Sequence, residues 1–116
     1  MKTKPNEVVF VLADFFTVYL PNTKGLSENT IISYQYAFRL LFSFLEKEKH
    51  LPPEKVTFES LSIVTLQEFL NYIEKERGCS VKTRNIRRAA IKAFAKYSAI
   101  AVEYTVALAF LAVFGR

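Results

Sequence analysis

Residues 26–49 read LSENTIISYQYAFRLLFSFLEKEK. Within them Ile31, Tyr34, Phe38, Leu41 and Leu45 recur at steps of three and four residues, which makes one continuous apolar stripe on an α-helix. Ser27 stands just before the stripe as an N-cap, and Glu28 puts an acid in the first turn, where the helix dipole favours it. The helix is expected to run to about Lys49, with Pro52-Pro53 stopping it.

The flanking segments repeat this pattern. Glu7 to Leu20 predicts a first helix with Val8, Leu12, Phe15 and Tyr19 inward, ended by Pro21-Asn22 and Gly25. Thr57–Ser60 suits a short helical turn. A third helix is expected over Thr65–Arg77, with Leu66, Phe69, Leu70 and Ile73 inward and Gly78 as its C-cap. Ser80 caps a fourth, expected from about Val81 to Ser98. No stretch alternates at period two for long enough to argue a strand. The fold class is therefore all-α, a compact bundle of four to five helices. Residues 1–98 are expected to form the helical domain. Residues 99–116 are expected to be an apolar tail or a fifth helix, with a truncated linker as a third reading.

Charge is uneven along the chain. The net +5 arises entirely after residue 60, where nine basic and four acidic side chains lie. Between Gly78 and Val102 stand Lys82, Arg84, Arg87, Arg88, Lys92 and Lys96 without one acid. Such a one-sided surface is the footprint of a phosphate-backbone binder. Which of these bases face water is open at this stage. Arg84, Arg88 and Lys92 share one face, opposite Ile86, Ala90, Ala93 and Tyr97. Turning Ile91 and Phe94 inward instead drags Arg88 toward the core, where an unpaired guanidinium is costly. On the second helix Ser33 and Tyr36 lie opposite the stripe, Ser33 suited to a base edge and Tyr36 to a phosphate.

Other chemistries lack their residues. Cys79 is the single cysteine and His50 the single histidine, which excludes a disulfide framework, a Cys-based zinc site and a His-based triad. Neither a cofactor, a metal nor a small-molecule substrate is expected. The apolar run Thr105–Phe114 is about half the length needed to cross a bilayer, so no membrane partner is expected. No signal peptide is read at the start, because Asp14 interrupts the first apolar run, and an intracellular protein is expected.

Two motifs together resemble a known family. Leu26-Ser27, Thr30, Tyr34, Phe38, Leu41 and Phe44 resemble the second helix of the N-terminal core-binding, SAM-like domain of tyrosine recombinases of the phage-integrase type. Arg77–Asn85, with Arg87, Ala89-Ala90-Ile91, Phe94 and Tyr97, looks like that domain's fourth helix. The resemblance spans roughly Val8 to Ser98. It implies half of a clamp around double-stranded DNA, with the second and fourth helices at the major groove. Carried over position by position, Thr30, Lys82 and Thr83 would bind phosphate, Ser33 and Arg87 would reach bases, and Asn85 would be a lesser contact. Three positions depart from the family pattern: Ile86 replaces a polar or basic residue, Arg88 a leucine and Ala95 a second aromatic. The last two imply a looser fourth helix.

In such recombinases strand cleavage uses a Tyr nucleophile with two Arg and His/Lys partners, in a separate C-terminal domain. No Arg-His-x-x-Arg occurs here, so an isolated DNA-binding module without catalysis is expected. The competing reading is a protein-interaction domain that self-associates through the apolar C-terminal tail.

Overall fold

The computed structural model describes the backbone of residues 7–114 and the side chains of residues 7–75 and 78–101. Helix α1 spans Glu7–Asp14 and continues as a wider π-helical segment over Phe15–Thr23. Helix α2 spans Glu28–Lys49, α3 Ile63–Arg77 and α4 Val81–Phe114, with a 3-10 turn at Pro53–Lys55. No strand occurs among the described residues.

One device starts three of the helices. Ser27, Ser62 and Ser80 each accept a hydrogen bond from the backbone N–H three residues on, of Thr30, Thr65 and Thr83, at 3.2, 3.2 and 3.1 Å. Each serine hydroxyl then donates to the side chain of that same threonine. The cap at Ser62 moves the start of α3 two residues ahead of the expected Thr65. Gly78, at φ 56° and with its N–H on the Glu74 carbonyl, turns the chain from α3 into α4. Thr57 and Ser60 hold the expected short turn by exchanging backbone-to-side-chain bonds in both directions.

Pro21 does not end the first helix. The Lys24 N–H reaches back five residues to the Tyr19 carbonyl at 2.9 Å, and the helix closes only at Gly25, φ 62°. Pro21 removes one donor from this ladder and its ring crowds a carbonyl one turn back, a cost confined to the last turn before the segment ends at Thr23. Widening rotates Phe15 and Leu20 into the core together, both essentially buried.

Phe15 is the hub of that core. Its ring lies 5.1 Å from Phe16, 5.3 Å from Phe94 and 5.5 Å from Tyr97, joining the π-helical segment to α4, while Phe38 of α2 closes on Phe94 at 5.3 Å. Phe44 meets Phe69 and Tyr72 at 5.6 and 5.1 Å and fastens α2 to α3. Apolar burial on this scale is the main favourable term in folding.

Tyr97 ties the end of α1 to α4 by donating its hydroxyl hydrogen to Asp14 Oδ2. Burial first, then the hydrogen bond and charge of Asp14, push the Tyr97 phenol up from 10.0 to about 12. The folded state thus favours the neutral phenol. Its contribution is complete below pH 10 and is lost as pH rises from 10 to 12. Thermal scans should show the midpoint of the natural protein falling across that window, and the Tyr97→Phe variant losing less of it there.

Helix α4 continues to Phe114, past the expected end at Ser98, because no Gly or Pro occurs between Val81 and Phe114 to stop it. Residues 99–114 extend α4 without a break. The expected looseness of this helix takes a different form. Ala95 lines an apolar groove of about 420 Å³ with Phe38, Phe58, Leu61, Leu66 and Ile91. An aromatic at this position has room in the groove, so Ala95→Phe should stabilise the domain by about 1 kcal/mol, read as a higher urea midpoint at unchanged slope.

Candidate nucleic-acid interface

The N-terminal ends of α2 and α4 meet at one groove. It encloses about 650 Å³ and is lined by Asn29, Thr30, Ser33 and Tyr34 of α2 and by Val81, Lys82, Asn85, Ile86 and Ala89 of α4. Lysine is the one charged residue type in that lining, and no carboxylate shares it. Two helix starts there add their positive dipole ends to the Lys82 ammonium, a combination that suits an anion.

Hydrogen bonding within the caps decides what each hydroxyl has left to offer. Thr30 Oγ1 accepts from Ser27 at 3.0 Å and Thr83 Oγ1 from Ser80 at 3.1 Å, so each threonine keeps its own O–H to donate. A free donor at a helix start fits a phosphate oxygen. Ser33 is the reverse. Its hydroxyl donates to the Asn29 carbonyl at 3.1 Å, which leaves its oxygen as an acceptor suited to an exocyclic amino group on a base edge.

The structure brings Thr30, Ser33, Lys82 and Asn85 to this one groove. Thr83 sits beside them in the α4 cap, held by Ser80 and outside the lining. Arg87 is elsewhere. It is 8% exposed, on the inward stripe with Ala90, Ile91, Phe94 and Ser98. This resolves the facing of α4, since the base drawn toward the core is Arg87, whereas Arg88 is exposed. Arg84 is half-buried, with Nε 3.4 Å from Glu74 Oε1, an ion pair not aligned as a hydrogen bond. Lys82, Arg88, Lys92 and Lys96 are exposed. Asn29 and Val81, in the first turns of α2 and α4, and Ala89, two turns into α4, also line the groove, and the sequence does not single them out as contacts.

Among the described residues no group of three or more His, Cys, Asp or Glu is placed to hold a metal ion, and no helix is long and apolar enough to cross a membrane.

A helical domain with this order of elements and this groove belongs to a defined class. Residues 13–99 match the phage integrase N-terminal SAM-like domain, and the chain is a member of that family. A Sinorhizobium fredii protein named integrase/recombinase y4rC is 34% identical over 100 residues, covering 86% of this chain and 30% of that protein. A second, named integrase/recombinase y4rD, from the same organism, is 30% identical over 91 residues, or 78% of this chain and 32% of its own length. The chain thus spans about a third of the length of these curated relatives. No solved structure matches it.

Proposed function

We propose that residues 1–98 hold duplex DNA for a site-specific recombinase, gripping the major groove with the N-terminal ends of α2 and α4. The groove lined by Thr30, Ser33, Lys82 and Asn85, free of carboxylates, carries this reading. Thr30, Thr83 and Lys82 bind backbone phosphates and set the register. Ser33 and Asn85 reach base edges. The role of the domain is binding, and cutting and rejoining of strands are not assigned to it. Titrating a labelled duplex at low and moderate salt should show micromolar or weaker binding that falls steeply as salt rises. Absence of binding at both salt concentrations contradicts the proposal.

Self-association is a second property supported by the surface. Ile63, Val64 and Ile100 are 75, 66 and 66% exposed, each within two residues in sequence of a residue lining the apolar groove at Ala95. Exposed aliphatic surface of this kind is characteristic of an interface. We propose that a second copy covers it together with the apolar tail, residues 99–116. Deleting residues 103–116 should abolish self-association in sedimentation experiments while duplex binding by the monomer persists.

A further inference from the structure

Arg87 carries a charge that packing alone does not explain. Its side chain is on the buried stripe of α4, and its Nη1 is buried with no hydrogen-bond partner among the described residues. An unpaired buried cation destabilises a fold, and a methionine fills similar space without that penalty. What the guanidinium does meet is the ring of Tyr36 on α2, its central carbon 5.8 Å from the ring centroid. That distance is within cation–π range. Tyr36 is itself 42% exposed, and it follows Ser33 by about one helical turn on α2.

We infer that Arg87 is a positioning residue for DNA binding that acts through Tyr36. The buried guanidinium fixes the Tyr36 ring, and the Tyr36 hydroxyl donates to a DNA phosphate beside the groove. A ring held in place before binding loses less freedom when DNA arrives. A cation against the ring face also draws electron density from it, which makes the O–H a stronger donor to an anion. Arg87 stays inside, so it neutralises no phosphate. This inference rests on the DNA-binding reading above and corrects the role expected for Arg87 from direct base contact to support of Tyr36.

The test is a double-mutant cycle on the full chain, with duplex affinity measured across salt and thermal melting measured alongside. Tyr36→Phe should weaken binding about tenfold, the size of one hydrogen bond to a charged group. Arg87→Met should weaken it several-fold while its melting midpoint holds or rises and the slope of affinity against salt stays unchanged. In a Tyr36→Ala background Arg87→Met should cost nothing further. Full additivity, with a salt slope reduced by about one, would instead make Arg87 a direct phosphate contact and overturn the inference. Unchanged affinity in Arg87→Met also overturns it, leaving a packing role only. Should Arg87→Met fail to fold, Tyr36→Phe alone decides, since it keeps the ring and removes only the hydroxyl, and unchanged affinity there is fatal. If the natural protein binds no duplex at all, the DNA-binding reading fails instead, before any variant is made.

Discussion

Phe15→Ala should cost about 3–5 kcal/mol, the usual loss for a buried aromatic cut to alanine, and take the domain close to unfolding. Phe15 has no exposed surface and touches rings from its own π-helical segment, α2 and α4 at once. Its removal therefore opens a cavity where three elements join and where the π-helical segment turns its side chains inward. At this chain length each kcal/mol corresponds to several degrees of melting midpoint, so a fall of at least about 10 °C is expected by circular dichroism. A shift of only a degree or two would mean that the aromatic hub does not hold the bundle together.

Lys82→Glu should reduce duplex affinity by roughly a hundredfold at low salt, by removing a phosphate contact and placing a like charge in the groove. Stability should hold, because Lys82 is exposed in the first turn of α4, where an acid is the better partner for the helix dipole. Binding and folding thus separate at this position. Lys82→Ala should lower the slope of log affinity against log salt by about one. Fluorescence anisotropy on both variants, with melting curves on the same samples, checks each statement. Loss of affinity accompanied by loss of melting cooperativity would count against a direct contact.

Much of the architecture is legible in local chemistry. The capping serines Ser27 and Ser80 and the left-handed Gly78 mark helix ends by bonds made within a few residues, so sequence alone locates them. The π-helical segment is not legible in the same way. Val8, Leu12, Phe15 and Tyr19 fit an ordinary helix, and it is tertiary packing, of Leu20 in the core and of Phe15 against Phe94 and Tyr97, that rewards the wider coil. The facing of α4 turns on neighbouring residues, Arg87 against Arg88, which differ by about 100° around the axis. A broad apolar stripe tolerates such a rotation, and the assumption that an arginine stays out of the core points to neither. The end of α4 is missed because a change from basic to apolar residues after Ser98 reads as a boundary, although nothing there breaks a helix.

The candidate groove depends on the relative placement of two helix starts more than fifty residues apart, which no local signal supplies. The family resemblance supplies it for Thr30, Ser33, Lys82 and Asn85, and these four meet. Arg87 shows where such a carry-over stops: a position within a motif does not reveal whether a long side chain reaches outward or packs beneath a ring.

The most direct measurement of the DNA grip is a residue-by-residue NMR titration of the isotopically labelled chain with a short duplex at low salt. Salt-reversible shifts should concentrate in the backbone amides of residues 29–33 and 81–86, at the two helix starts that form the groove. Shifts confined to the apolar groove around Phe58, Leu61 and Leu66, or none anywhere, would contradict the proposed grip.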